Sequence, residues 1–388
     1  MVVFFAGIHG NETAGVKAVE RVFGEKDAGT GGGASGGTDD VAAGTTYVVY
    51  GNVKALDRGV RYMDTDLNRM WEETGEPILR PGEEGTGSGD GAEIGESRAV
   101  QPAELEEFHG MRDAIERILA LHADEASRMV FADLHTTSSR SCGFILLNDT
   151  LENRRIASRF PVPQILGIEE AIHGTVLSYI NNLGHAALGF EAGAHDDPAS
   201  VRRSEAFVRL LLDEVGVDRS MTEAARGALR AELRAEIRAS GQKRAPVPGG
   251  YYAIRHHHLL REGVAFRMEP GFLNFDPVRK GQMLAVEEGV PITAPRTARI
   301  FMPLYQEKGR DGFLLVKRVA GIWLELSKLL RGAWVHRAMG RLPGVREISP
   351  TGVEVDLRVA RFLVEPLFHL TGYRVLRKNP VTLVCYRR

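Results

Sequence analysis

The chain has 388 residues, 43% of them hydrophobic, 26% charged and 7% aromatic, with a formal net charge of −2. That composition fits a soluble globular fold with apolar side chains for one large core or two smaller ones. It excludes wholesale disorder, a collagen-like repeat and a membrane bundle, and no apolar run reaches the roughly 18 residues of a spanning helix. The N-terminus, MVVFFAGIHGNETAG, shows neither the basic leader nor the small-residue cleavage site of a signal peptide. Two cysteines, Cys142 and Cys385, make no disulfide framework, so a reducing cytoplasm is the expected compartment. Charge is uneven, however. Residues 320–388 hold 12 Lys/Arg against 5 Asp/Glu, which gives an acidic body a basic tail.

The first element is an apolar run of strand length, VVFFAGI, followed by HGNE and then ETAGVKAVERVF, whose Val16, Val19 and Phe23 recur at helical spacing. Residues 26–45 are Gly-rich, and TYVVYGNV reads as a second strand. The Gly tract resembles a phosphate loop only superficially. It lacks a preceding strand, a following helix and a Lys-Ser/Thr pair, so it reads as a surface insertion. A second polar insertion covers 81–97. Leu105, Phe108, Ile115, Ile118, Leu119 and His122 then mark an amphipathic helix over 102–122. RMVFADLH and GFILLN read as buried strands, VLSYINN and AALGFEAG as a helix and a strand, and SEAFVRLLLDEVG as a helix. This alternation predicts a mixed or parallel sheet with helices on both faces, spanning 1–220. Residues 221–248 carry a linking helix. Short Val-, Phe- and Tyr-rich runs split by Gly and Pro predict a small β domain over 249–318. A basic amphipathic extension, 319–388, completes the chain; beyond its helix around IWLELSKLLRGAWVHRAM no element is assigned.

His9 and Glu12 stand where the first strand gives way to the first helix, and His135 ends another buried strand in ADLHTTSS. Ligands of open α/β sheets bind beyond the carboxyl ends of the strands. A His, a Glu and a His converging there make the ligand set of a catalytic zinc site with its fourth position open. H-x-x-E alone is weak, and its plain alternative is a surface His beside a helix-start Glu. A catalytic zinc also needs a proton acceptor. Glu191, at the end of the apolar strand in LGFEAGAH, is the candidate, because a carboxylate there is costly unless it faces the same crevice. GVRYMDTDLNRMW supplies Arg61, Asn68 and Arg69, and Arg forks suit carboxylates and oxyanions.

GIHGNE, GN followed by RYMDTDLNR, DLHTT and GFEAG, in this order, resemble the aspartoacylase/succinylglutamate desuccinylase family, a branch of the zinc carboxypeptidase-like fold. The stretch MEPGFLNFDPVRKGQMLA through DGFLLV is similar to that family's small C-terminal β domain, so the likeness runs from about residue 3 to 318. The resemblance implies a zinc carboxypeptidase-like mixed sheet with helices on both faces, one Zn2+ per chain, and hydrolysis of the amide of an N-acyl amino acid or similar small carboxylate. By motif position it puts His9, Glu12 and His135 on the metal, Glu191 on general acid/base duty and Arg61 on the scissile carbonyl. Asn68 and Arg69 fall on the pair that grips the substrate carboxylate. Asp133, two residues before His135, reads as a supporting partner of that histidine. Two departures stand out. LSYINNLGHAAL offers Asn181, Asn182 and His185 where aspartoacylases carry a further Arg, which argues against a substrate of the N-acetylaspartate kind. The chain also starts at the G-x-H-G-N-E strand, where relatives usually have a strand or more before it. That predicts a truncated start or a lost edge strand. Other readings are a carboxypeptidase-type peptidase, a small-ester hydrolase, or a non-catalytic carboxylate binder acting through its tail.

The remaining candidates have simpler readings. His256, His257 and His258 alternate faces on a strand and cannot all hold one ion. His195 either lines the pocket mouth or belongs to the capping loop before PASVRRSEAF. Cys142 reads as a small core residue. Ile322, Trp323, Leu326, Leu329, Leu330 and Trp334 form a stripe beside Lys328, Arg331 and Arg337. It suits a helix packed on the body or at a homo-oligomer interface, with peripheral contact to an anionic membrane as the alternative. No nucleic-acid-binding module accompanies the charge.

Overall fold

The computed structural model describes residues 1–27, 39–41, 44–71, 103–123, 129–239, 245–261, 263–306, 308–331, 335, 338–360 and 364–388. The insertion 81–97 and most of 26–45 lie outside the described residues. In chain order come β1 (Val2–Ala6), α1 (Thr13–Asp27), β2 (Asp39–Val41), β3 (Gly44–Tyr50), α2 (Val53–Arg58), α3 (Glu104–Leu121), β4 (Val130–Thr137), β5 (Phe144–Leu147) and α4 (Leu151–Ala157). They continue with β6 (Gln164–Leu166), α5 (Val176–Asn182), β7 (Ala186–Ala194), α6 (Pro198–Glu214) and α7 (Glu223–Ala239). Then follow β8 (Tyr251–Leu259), β9 (Phe266–Met268), β10 (Pro277–Val278), β11 (Met283–Glu287), β12 (Val290–Thr293), β13 (Ala298–Phe301) and β14 (Asp311–Arg318). The tail contains α8 (Gly321–Leu330), β15 (Val345–Glu347), β16 (Gly352–Asp356), a short helix Val364–Leu370, β17 (Tyr373–Asn379) and β18 (Thr382–Arg387).

The main sheet runs β10-β13-β14-β8-β6-β5-β7-β4-β1-β3-β2. β1 is interior, parallel to both β3 and β4, and β4 is parallel to β7. Parallel strands are buried on both faces and read as continuous apolar runs, which is why VVFFA carries no polar residue. Its side chains alternate between two cores. Val2, Phe4 and Ala6 join Val19 and Val22 of α1 and Phe207, Leu210 and Leu211 of α6. Val3 and Phe5 join Ile115 and Ile118 of α3 and Val176, Leu177 and Ile180 of α5. Helices therefore cover both faces of the sheet.

Of the seven described strands between 249 and 318, β8, β10, β13 and β14 continue the main sheet, and β12-β11-β9 form a sheet of their own. The junction is the parallel pairing of β6 with β8. The tail holds a four-stranded sheet, β15-β16-β18-β17, with a separate core of Val353, Val355, Phe368, Tyr373, Leu383 and Cys385. Within α8 only Leu324 and Ser327 are buried, and Leu324 joins the main core. Ile322, Trp323 and Leu329 are 74%, 55% and 75% exposed, so half of the predicted stripe is left largely uncovered by the described residues. Trp334 and Arg337 lie outside the described residues. Among those residues no helix is long and apolar enough to cross a membrane.

Candidate metal centre

Strand register builds the site. In the β4–β7 pair His135 lies opposite Glu191, and Asp133 opposite Gly189, so all four positions share one sheet face. The loop after β1 brings His9 and Glu12 over the same carboxyl ends, as open α/β sheets do. That loop fits only because residue 10 is glycine: a Cβ there would stand 2.1 Å from the carbonyl carbon of Ala55. The amide of Gly10 donates to the carbonyl of Arg61 at 3.1 Å, which ties the His9 loop to the Arg61 loop.

His9, Glu12 and His135 each present a donor atom within 4.8 Å of the others, and all three are buried. Glu12 sits between the rings: its Oε1 is 2.9 Å from Nδ1 of His9 and its Oε2 is 2.9 Å from Nδ1 of His135. The backbone amide of Thr136 also donates to Glu12 Oε2, at 2.8 Å. Both Nε2 atoms point the other way, His9 to Asp66 at 3.0 Å and His135 to Asp133 at 2.6 Å. A carboxylate on the far nitrogen fixes the imidazole orientation and raises its basicity toward a metal.

The electrostatics favour positive charge at this point. Burial opposes ionisation of Glu12, yet the imidazoles of His9 and His135 hold its carboxyl well below the usual range. Burial likewise disfavours a charged His135, but Asp133 and Glu12 raise it well above an ordinary imidazole. The carboxylates that would keep a proton on His135 equally serve a cation bound to the two Nδ1 atoms and Glu12. This donor set, two imidazoles and one carboxylate with anionic groups behind them, is that of a catalytic zinc site, so the residues fit the ion.

The other expected residues line the same cleft: Arg61, Asn68, Arg69, Glu191 and also His195. Burial pushes the Glu191 carboxyl up to about 8. Its Oε2 and the Nε of Arg61 are buried without a hydrogen-bond partner among the described residues, positions that a substrate or water would satisfy. Arg61 also contacts Glu12 at 3.2 Å and Asp66 at 3.3 Å. Asn68 points inward: its Oδ1 accepts from the amide of Val176 at 3.0 Å and its Nδ2 faces Asp133 and His135. Arg69 donates to Asp311 at 2.8 Å and stays 30% exposed. His195 contacts Thr136 at 2.7 Å, whereas Asp197 caps α6.

Three residues that sequence reasoning missed complete the arrangement. Asp66 supports His9, as above. Asp311 joins Arg69 to His257, whose Nε2 lies 2.8 Å from its carboxylate. Glu104, fully buried at the start of α3, accepts backbone N–H groups from Met63, Asp64 and Thr65 and so shapes the loop that carries Arg61 and Asp66. Of the His triplet, His257 touches this network and His258 pairs with Glu287 at 2.8 Å. Cys142 is fully buried in the core under β5.

Residues 1–85 match the family model of the succinylglutamate desuccinylase/aspartoacylase catalytic domain. A 66-residue segment is 38% identical to the succinylglutamate desuccinylase of Pseudomonas aeruginosa (strain LESB58). That match covers 17% of this chain and only 17% of the curated relative's length. Among solved structures, succinylglutamate desuccinylase from Vibrio cholerae superposes with a TM-score of 0.50 at 17% identity, over 82% of this chain and 81% of that one. Succinylglutamate desuccinylase/aspartoacylase from Rhodobacter sphaeroides gives 0.50 at 14% identity, over 82% and 86%. The resemblance to the aspartoacylase/succinylglutamate desuccinylase family is thus shown, and the large mixed sheet with its helices is the fold those structures share.

Proposed function

We propose that this relative of the desuccinylase/aspartoacylase catalytic domain is a zinc-dependent hydrolase of N-acyl amino acids or similar small carboxylates. The observation that carries the reading is the nested pair of rings: two Nδ1 atoms turned to one carboxylate, two Nε2 atoms turned to Asp66 and Asp133. His9, Glu12 and His135 would hold one zinc ion, which supplies Lewis acidity for an acyl carbonyl and for water. We also propose a carboxypeptidase-like α/β unit over 1–220, a linking helix in 221–248, a β unit over 249–318 that shares its sheet, and a C-terminal unit over 319–388.

The chain's own residues then have distinct tasks. Glu191, raised to about 8 by burial, stands near the pH at which a carboxyl group both takes and returns a proton. A cation beside it lowers that value, favouring the carboxylate that accepts a proton from water. The same group later hands the proton to the leaving amine. Arg61 directs its guanidinium into the cleft, where it stabilises the negative charge that develops on the carbonyl oxygen. Arg69, partly exposed beside Asp311, is placed to meet the substrate carboxylate at the mouth, and Asn68 holds the base of α5 against the ligand pair. The cleft around these groups is buried enough to strengthen each electrostatic contact.

Glu191→Gln tests the reading. The variant should keep the metal and bind carboxylate product while hydrolysis of an N-acyl amino acid panel drops by roughly 100-fold or more, the low end for a general acid/base. Unchanged turnover would remove Glu191 from the mechanism. Loss of metal together with turnover would make it structural.

A further inference from the structure

The cleft is divided in chemistry. Register places Asp133, Gly189 and Leu146 in one row across β4, β7 and β5, and His135, Glu191 and Phe144 in the next. In these rows the charged groups stand on β4 and β7, and the β5 positions, Leu146 and Phe144, are apolar. There the lining is Leu146, Ile168, Ile172 and Leu177, each less than a tenth exposed. Leu177 and Leu146 close over Gly189: a Cβ at that position would meet Leu177 Cδ1 at 3.1 Å and Leu146 Cβ at 3.4 Å, so any larger residue there would push this apolar wall into the cleft. The two arginines that line the cleft already face carboxylates, Arg61 toward Glu12 and Asp66, Arg69 toward Asp311. Among the described lining residues these two arginines are therefore already engaged, which leaves a second substrate carboxylate to press against Leu and Ile without a partner, a disfavoured arrangement.

We propose that the apolar wall formed by Leu146, Ile168, Ile172 and Leu177 takes an uncharged aliphatic arm of the substrate, so that this chain favours N-acyl amino acids with an apolar acyl chain or apolar side chain over those acidic at both ends. The inference rests on the hydrolase reading. It also names Gly189, Ile172 and Leu177 as specificity residues.

The zinc-loaded, full-length protein is assayed with N-butanoylglutamate, N-succinylleucine and N-succinylglutamate. One or both of the first two should exceed the third in kcat/KM by about tenfold or more, the scale of hydrophobic-pocket discrimination. Whichever leads identifies the arm as acyl chain or side chain. N-succinylglutamate turned over equally well or better overturns the proposal. If none is hydrolysed, the hydrolase reading fails separately, and calorimetric titration with butanoate and succinate decides the role of the apolar wall: tighter butanoate upholds it, equal or tighter succinate overturns it. Gly189→Val supplies a second test. With zinc content and circular dichroism unchanged, its loss in kcat/KM, or in carboxylate affinity, should grow with aliphatic chain length from two to six carbons. A loss independent of length places the arm elsewhere.

Discussion

Asp66 Oδ1 lies 3.0 Å from Nε2 of His9, on the ring edge opposite the one that meets Glu12. Burial disfavours its charge, but His9, Arg69 and Arg61 hold its carboxyl well below the usual range, so it is an anion behind the proposed metal ligand His9. Asp66→Asn should therefore lower zinc affinity by about 10- to 100-fold without unfolding the protein. Competition with a chelator of known affinity measures the change. An affinity equal to wild type would mean that the Asp66–His9 contact does not tune the site.

Gly10 predicts a steric effect. The Cβ of a Gly10→Ala variant would fall inside the backbone of Ala55, which no rotamer change relieves. The His9 loop must shift, and overpacking of this kind costs about 1–3 kcal/mol. Denaturant titration should show that loss, and zinc binding should weaken with it because His9 and Glu12 ride on the displaced loop.

The C-terminal unit is clamped to the body through Asp149, which is buried and accepts from Arg154, Arg331 and Arg388. Burial disfavours the Asp149 carboxylate, but Arg331, Arg388 and Arg154 outweigh it and hold the carboxyl far below its ordinary value. A carboxyl depressed on folding contributes its full stabilisation above the unfolded value, near 4, and loses it as pH falls through and below that value. Asp149→Asn should accordingly cost about 3–5 kcal/mol at neutral pH, since it strands buried guanidinium groups. The gap between wild type and variant should narrow once the pH drops below about 4. A gap constant from pH 7 to 3 would contradict this role.

Arg374 carries the same clamp to the cleft wall. Its guanidinium donates to the carbonyl of Glu169 at 2.9 Å and to Nδ1 of His173 at 3.1 Å, beside Ile168 and Ile172. Burial and the nearby Arg374 push His173 down to about 4, so the ring is a neutral acceptor at pH 7. Arg374→Ala should raise KM severalfold for substrates with long apolar arms while kcat changes little, the mark of lost uniform binding. A selective fall in kcat would instead place Arg374 in the chemistry.

Much of this arrangement was legible in the chain. The buried runs VVFFA and VFADLH and the helical spacing of Val16, Val19 and Phe23 specify strands and helices through burial alone, and tertiary context leaves them little choice. His9, Glu12, His135 and Glu191 stand out because polar groups at the ends of apolar strands need a reason. Asp66 was less visible, since an Asp in RYMDTDLNR looks like any turn residue until His9 is placed beside it across 57 positions of chain. Asp311 and Glu104 share that difficulty: their partners lie on distant loops. In the tail, Tyr373 and Val375 on one strand and Leu383 and Cys385 on the other do alternate with period two, Val375 opposite Cys385, around a Lys-Asn-Pro turn. The interleaved arginines mask the pattern, because Arg388 is buried in ion pairs with Asp149, Glu169 and Glu170, and Arg374 hydrogen-bonds to the Glu169 carbonyl and His173.

Zinc content tests the central claim most directly. Full-length protein purified without added metal, then offered one equivalent of zinc, should hold about one ion per chain, and the His9→Ala/His135→Ala double variant, still folded by circular dichroism, should hold none. A folded wild type that takes up no zinc, or a double variant that keeps it, would contradict the metal centre and with it the hydrolase.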